Sequence, residues 1–219
     1  MLVKIIDSGY VDSVTLQYNM LDRSLEEGIA HAHEKGVGIV VMGPVGGGRL
    51  GADSQVLALL LPGVARVPEL ALRFVLSNPN VTVALSGMST MQHVQENLAV
   101  ASDSRSLTAE ERQLIEDQLG RLRSAADLYC TACGYCAPCP NKVDIPAVFG
   151  VYNAARVYGL WDHAKARYKA MMKKGTVADL CVQCGECEAR CPQHIPIRQQ
   201  LVQSHEALYA DPVNAKPAR

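Results

Sequence analysis

The sequence has no long apolar run and no excess of charge of either sign. No stretch approaches the roughly 20 apolar residues that span a bilayer, and the first residues lack the apolar region and cleavage site of a secretory signal. We therefore expect a cytoplasmic protein with no membrane partner. Lysine and arginine number 21 against 22 aspartates and glutamates, for a formal net charge of -1. This balance gives no overall field that would favour nucleic acid as a partner.

Cysteine is missing from residues 1–129, and all eight cysteines fall between residues 130 and 191. In a reducing cytosol, cysteines at this density favour metal binding over disulfides. The change in composition predicts two domains, residues 1–125 and residues 126–219.

The first domain alternates strand and helix. Residues 13–18, 37–42 and 81–85 are β-prone runs, and helices are predicted at 24–35, 68–77, 90–98 and 108–123. The first and last of these helices begin with capping-box spacing at Ser24 and Thr108. Alternation of this kind predicts right-handed βαβ units in a parallel sheet. Three units cannot close a barrel and would leave two unpaired edges, so we expect an α/β fold that is part of a larger barrel.

The cysteines form two runs, and each run ends in Cys-Pro. The runs have the C-x2-C-x2-C spacing of bacterial ferredoxins, with two residues instead of three before the last cysteine of the first run. In two-cluster ferredoxins the fourth cysteine of each run binds the other cluster. The spacing therefore predicts two [4Fe–4S] clusters. One would be bound by Cys130, Cys133, Cys136 and Cys191, and the other by Cys139, Cys181, Cys184 and Cys187.

Zinc is the alternative metal, but all-cysteine zinc sites favour two C-x2-C pairs separated by a longer loop. Between and after the cysteine runs, helices are predicted at residues 144–158, 161–174 and 195–209. This is more chain than the hairpin of a compact ferredoxin needs, so we expect a mostly helical ferredoxin-like domain.

Residues 12–19, 38–47 and 86–97 resemble the last three strands of an aldo/keto reductase barrel. With the cysteine runs, the chain resembles the C-terminal part of the subfamily that adds a ferredoxin-like tail. The resemblance implies a truncated TIM-type barrel of three βα units and an iron–sulfur oxidoreductase function. The catalytic Asp, Tyr, Lys and His of that family come from earlier strands. We therefore assign no catalytic residue and expect no carbonyl reduction by this chain alone.

The same resemblance implies that the carboxyl ends of the strands hold NAD(P)H, since active sites of such barrels lie there. It implies that Gln17, Met42 and Gly43 contact nicotinamide. It also implies that Ser86, Gly87 and Ser89 contact the adenosine-side phosphate, and that Glu96 and Asn97 contact adenine. His93 stands where the family often has an arginine for the 2′-phosphate, so the choice between NAD and NADP stays open.

Two other functions remain open at this stage. The chain could be a stand-alone electron-transfer protein whose partial barrel is a docking surface without NAD(P)H chemistry. Alternatively, the clusters could be purely structural, in the way that structural zinc stabilises small domains. The expected partners are a redox protein, an N-terminal half-barrel or a second copy of the chain.

Overall fold

The computed structural model describes residues 1–52, 54–64, 66–103, 105–124, 130 and 132–209. The chain divides into two compact units, Met1–Gln118 and Leu119–Arg219, which we call the α/β unit and the helical unit. The predicted domain boundary, between residues 125 and 126, lies outside the described residues. No helix among the described residues is long and apolar enough to cross a membrane.

The α/β unit contains a parallel sheet of three strands in the order β1-β2-β3, as the sequence predicted. The strands are β1 (Ser13–Gln17), β2 (Gly38–Met42) and β3 (Val83–Ala84). β1 and β2 pair along their full length. β3 is shorter than predicted, although the N–H groups of Thr82 and Leu85 also donate to β2 carbonyls at 2.9 Å.

The helices of the α/β unit follow the predicted alternation, with additional short elements. They are α1 (Leu2–Ile6), α2 (Glu26–Glu34), α3 (Gln55–Ala58), α4 (Val67–Leu76), α5 (Met91–Ser102) and α6 (Ala109–Ser124), with a 3-10 turn at Arg49–Gly51; α6 runs on into the helical unit. The capping box of α6 is formed, since the N–H groups of Thr108 and Glu111 each donate to the other's side chain. The capping box predicted at Ser24 is wrong, because Leu25 is the N-cap residue of α2 and the Ser24 hydroxyl donates to Asp22.

One face of the sheet is buried and the other is open. Leu16, Ile39 and Val41 are almost fully buried on the first face, and α2 packs against β2. On the opposite face Met42 and Val83 are 46% and 44% exposed. A buried polar network stabilises the covered side, where the Tyr18 hydroxyl donates to Glu26 at 2.6 Å.

Within the described residues the helical unit contains four helices after α6; three agree with the predicted ones, and the short third one was not predicted. They are α7 (Ile145–Tyr158), α8 (Trp161–Lys174), α9 (Glu186–Ala189) and α10 (Ile197–Tyr209), with a 3-10 turn at Ala178–Leu180. The Asp144 side chain caps α7 by accepting from the Ala147 N–H at 3.1 Å. α7 and α8 both end at a glycine in the left-handed conformation. Phe149, Tyr168 and Leu201 are among the core residues, and six of the eight cysteines pack against this core.

Candidate metal centre

The eight cysteines line two pockets in the helical unit. One pocket, which we call the Cys130 pocket, is lined by Cys130, Cys133, Cys136 and Cys191. The other, which we call the Cys181 pocket, is lined by Cys139, Cys181, Cys184 and Cys187, and Cys136 also contributes to its wall. Each pocket thus combines three cysteines of one run with the fourth cysteine of the other, which is the grouping of the two predicted shells.

The backbone conformation of the first run is repeated in the second. The residues before the second cysteine, Ala132 and Gln183, have φ angles of 55° and 58°, and the glycines after it, Gly134 and Gly185, have φ angles of 81° and 84°. The left-handed region is costly for residues with a Cβ atom and accessible to glycine. Backbone that alternates between right- and left-handed conformations can turn successive N–H groups towards one anionic group, as in many iron–sulfur sites.

The repeat continues beyond the fourth cysteine of each run. The N–H of Lys142 donates to the Cys139 carbonyl at 3.0 Å, and the N–H of His194 donates to the Cys191 carbonyl at 3.1 Å. Both turns then lead into a helix whose first residue is a buried isoleucine, Ile145 in α7 or Ile197 in α10. Each run together with the start of its helix is therefore one structural repeat.

The surroundings of the thiols disfavour isolated thiolates. Burial is the main cause that raises the pKa of Cys130, Cys136 and Cys187, and charge repulsion from neighbouring cysteines adds to it. Several thiolates can share an apolar pocket only when a cation compensates their charge. The donor set of four cysteines in each half-buried pocket thus fits an iron–sulfur cluster.

A single metal ion fits this arrangement less well. Among the residues that the structure describes, no group of three or more His, Cys, Asp or Glu side chains could hold a single metal ion. Thiolates bound to one zinc ion would lie about 4 Å apart. The four thiolates of a cubane each bind a different iron, so they stand farther apart.

The two pockets differ in the charged residues around them. Glu186, Arg190 and Arg198 line the Cys181 pocket, whereas no charged residue lines the described part of the Cys130 pocket apart from its cysteines. Arg190 pairs with Glu186 at 3.1 Å, and Arg198 pairs with Glu188 at 2.9 Å. Neither arginine was predicted from the sequence as a pocket residue.

In the α/β unit, three of the predicted nicotinamide contacts lie side by side. Gln17 and Met42 are register partners at the carboxyl ends of β1 and β2, and Gly43 follows directly. A Cβ atom at Gly43 would lie 3.3 Å from the Gln17 side-chain nitrogen. The Gly43 carbonyl accepts a hydrogen bond from Asn19 at 3.2 Å, which fixes the turn after β2.

The predicted adenosine-side residues follow β3. The Asn97 amide donates to the Ser86 hydroxyl at 2.8 Å, so the loop that contains Gly87 and Ser89 is attached to α5. Glu96 pairs with Arg66 and accepts from Gln92, and hydrogen bonds from Gln92 and then Arg66 hold the pKa of this carboxyl below its usual value. Glu96 and Asn97 line an open groove of about 370 Å³ between α4 and α5.

Comparison with known proteins bears on both parts of the chain. Residues 129–196 match a protein-family model described as a 4Fe-4S dicluster domain. No curated protein matches the chain. The solved structures to which the chain is similar include the holo and apo forms of the aldo-keto reductase AKR11C1 from Bacillus halodurans. Each is 32% identical with a TM-score of 0.45, over 52% of this chain and 45% or 46% of theirs.

The chain thus spans about half the length of the solved structures that it matches. It contains a 4Fe-4S dicluster domain at residues 129–196 and has a likeness to aldo-keto reductase over about half of its own length.

Proposed function

We propose that this chain is the iron–sulfur electron-transfer component of an oxidoreductase of aldo/keto reductase type, with two [4Fe–4S] clusters. The observation that carries the proposal is the sorting of eight cysteines into two pockets, each with three cysteines of one run and one of the other. The Cys130 pocket would hold one cluster and the Cys181 pocket the other. When bound, such clusters supply one-electron transfer.

The residues around the thiols have defined roles in this proposal. Gly134 and Gly185 allow the backbone N–H groups to approach the cluster sulfurs closely, which sets hydrogen bonding there. Ile145 and Phe149 line the Cys130 pocket, and Leu201 lines the Cys181 pocket. These apolar side chains keep water away from the iron ligands, and water access is one of the factors that set a reduction potential.

Metal and sulfide analysis of the purified chain tests the proposal. We expect about eight iron and about eight acid-labile sulfide ions per chain, from two cubanes. Dithionite should bleach the charge-transfer absorbance if the clusters transfer electrons, and would leave it unchanged if they are purely structural. Stoichiometric zinc without labile sulfide would contradict the proposal altogether.

For the α/β unit we propose that further strands, from an N-terminal half-barrel, complete the sheet. Support comes from the open face, where Met42, Val83 and Leu85 are nearly half exposed. Within the described residues, β1 and β3 each pair with β2 alone, so the sheet has two unpaired edges of the kind that associate with other chains. The chain by itself should therefore self-associate in light scattering. A monodisperse, cooperatively folded monomer would argue against this.

We also propose that the carboxyl edge of the sheet is half of an NAD(P)H site. Gln17, Met42 and Gly43 would contact nicotinamide, whereas Ser86, Gly87, Ser89, Glu96 and Asn97 would contact the adenosine side. Support comes from the proximity of Gly43 to Gln17 and from the hydrogen bond that attaches Ser86 to α5.

Replacement of Gly43 by valine tests the nucleotide site, because Gly43 has a φ of 62° and its Cβ atom would approach Gln17 at 3.3 Å. We expect the variant to lose the fluorescence change of bound NADPH. The matched control is Gly36→Val, with a φ of 72° and no atom within 4 Å of an added Cβ. If the parent chain binds neither NADH nor NADPH while dithionite reduces its clusters, the stand-alone electron-transfer function is favoured.

A further inference from the structure

The structural repeat allows the two cysteine pockets to be compared position by position. Pro146 and Arg198 are equivalent, since each is the seventh residue after the fourth cysteine of its run (139 to 146 and 191 to 198). Pro146 lines the Cys130 pocket and Arg198 lines the Cys181 pocket. The residue after the third cysteine also differs, and is Ala137 in the first run and Glu188 in the second. One repeat therefore has an arginine–glutamate pair where the other has proline and alanine.

The Arg198 side chain is held in a defined place beside the cysteines. Its Nε donates to Glu188 Oε2 at 3.0 Å, and its backbone N–H donates to Glu188 Oε1 at 2.8 Å at the start of α10. The Arg198 Cζ atom would lie 3.7 Å from a Cβ added to Gly185. The guanidinium group thus lies against the backbone that follows Cys184.

The ion pair has its positive end towards the cysteines. Arg198 lines the Cys181 pocket, whereas Glu188 is not part of its wall. The hydrogen bond that the Arg198 side chain donates to Glu188 is the main cause that raises the pKa of Arg198, and the charges of Cys187 and Cys181 add to it. Arg190 differs from Arg198 in this respect, because its partner Glu186 lines the pocket beside it.

The Cys130 pocket has no comparable charged group in its described wall. Its described wall consists, besides cysteines, of Gly134, Ile145, Pro146, Phe149, Pro192, Gln193, Ile195 and Ile197. Reduction adds one negative charge to whatever the four thiolates hold. A guanidinium nearby stabilises that charge, while an apolar wall destabilises it.

We propose that Arg198 makes the two clusters electrochemically unequal, by raising the reduction potential of the cluster held by Cys139, Cys181, Cys184 and Cys187 above that of the other. An electron that enters the chain then resides in the Cys181 pocket first. This inference rests on the proposed binding of two clusters.

An anaerobic redox titration with dithionite, followed by electron paramagnetic resonance, tests the inference on the full chain. The parent protein should show two separate one-electron steps. Arg198→Gln should lower the potential of the upper step and leave the lower step in place. Arg198→Lys keeps the charge and should retain most of the separation. Glu188→Gln should raise the upper step, because it removes the anion that partly neutralises the guanidinium.

Two further variants distinguish charge from structure. Arg190→Gln is the matched control and should shift the upper step less than Arg198→Gln, because Glu186 already offsets Arg190 at the pocket wall. Pro146→Arg places the charge at the equivalent position of the other repeat and should raise the lower step. Arg198 is about half exposed, at 47%, so the effect of Arg198→Gln should also shrink in high salt.

The inference is overturned if the two steps coincide in the parent protein, or if Arg198→Gln shifts the lower step or neither step. If Arg198→Gln fails to bind iron, Glu188→Gln and Pro146→Arg decide in its place, and two unchanged titrations would overturn the inference. Iron and sulfide analysis of every sample separates failure of this inference from failure of the proposed function. Failure of the proposed function would appear as missing clusters in the parent chain.

Discussion

The helical unit and the α/β unit differ in the residues that they leave uncovered. In the helical unit, core residues such as Phe149 and Tyr168 are buried, and six of the eight cysteines pack against this core. The pockets beside the core are therefore lined by residues that can bind metal. In the α/β unit, the uncovered surface is the open sheet face, where Met42 and Val83 are exposed. Clustered thiols are suited to binding metal, whereas an open face of a parallel sheet is suited to contact with other polypeptide. The comparison teaches that one chain can leave two chemically different kinds of surface uncovered.

Loss of a cluster ligand should have the largest effect and should be confined to the helical unit. Cys184 lines only the Cys181 pocket, whereas Cys136 lines both. We expect Cys184→Ser to lose about four irons and Cys136→Ser to lose at least as many. Hydrogen exchange should rise in α7 to α10 and stay unchanged in β1 and β2. An equal rise of hydrogen exchange in both units would contradict an effect confined to the helical unit.

Two phenylalanines allow the same comparison without touching a ligand. Phe149 in the helical unit and Phe74 in the α/β unit are both essentially buried, and truncation of either to alanine should cost about 3–5 kcal/mol. Phe149→Ala should also lower iron content, because Phe149 lines the Cys130 pocket. Phe74→Ala should leave iron content unchanged. Denaturant titration and iron analysis would measure both effects. Iron loss in Phe74→Ala would contradict the expectation that iron binding depends on the helical unit alone.

Features set by nearby residues were predictable from the sequence. The α6 capping box needs only Thr108 and Glu111, three residues apart, and it formed. The box at Ser24 did not form, because Ser24 donates to Asp22 and distant groups engage the start of α2. Glu26 there accepts from Tyr18 and from Arg112, which is 86 residues away in sequence. A local motif cannot reveal such competition.

The candidate site likewise has features that nearby residues predict and features that they do not. Spacing alone grouped the cysteines as the pockets now group them, because each run is short and the fourth cysteine follows a tight turn. Arg198 was missed because its partner Glu188 lies ten residues earlier, on another element. Alignment of the two runs with each other would have revealed the charge difference, since it places Arg198 opposite Pro146 and Glu188 opposite Ala137.

Alkaline pH should weaken each unit through one buried tyrosine. Burial is the main cause that raises the pKa of both Tyr18 and Tyr168 to about 12. Because each folded-state pKa lies above the unfolded value of about 10, the stabilisation is complete below pH 10. It is lost as the pH rises through about 12, by about 2–3 kcal/mol for each tyrosine.

Phenylalanine variants assign this alkaline loss to its unit. Tyr168→Phe should flatten the pH dependence of the helical unit, which the fluorescence of Trp161, the single tryptophan, reports during urea unfolding of the chain. Tyr18→Phe should leave that fluorescence profile unchanged and flatten the profile of the α/β unit, as measured by hydrogen exchange in β1 and β2. Unchanged profiles in both variants would mean that other groups cause the loss.

The smallest effect is expected when a nicotinamide nucleotide is added to the purified chain. A nicotinamide gives up a hydride, which carries two electrons, whereas a [4Fe–4S] cluster takes one, so direct exchange is chemically blocked without a converter such as flavin. Gly46, Gly48 and Gly51 have G-x-G-x-x-G spacing, but they lead into a 3-10 turn at Arg49–Gly51 instead of opening a helix. The segment therefore lacks the structural context of a dinucleotide-binding turn. We therefore expect no bleaching of cluster absorbance by NADH or NADPH under anaerobic conditions, and full bleaching by dithionite or by a reduced flavoprotein. Rapid bleaching by either nucleotide, in a sample shown to contain no flavin, would contradict the expectation that a converter is needed between nicotinamide and the clusters.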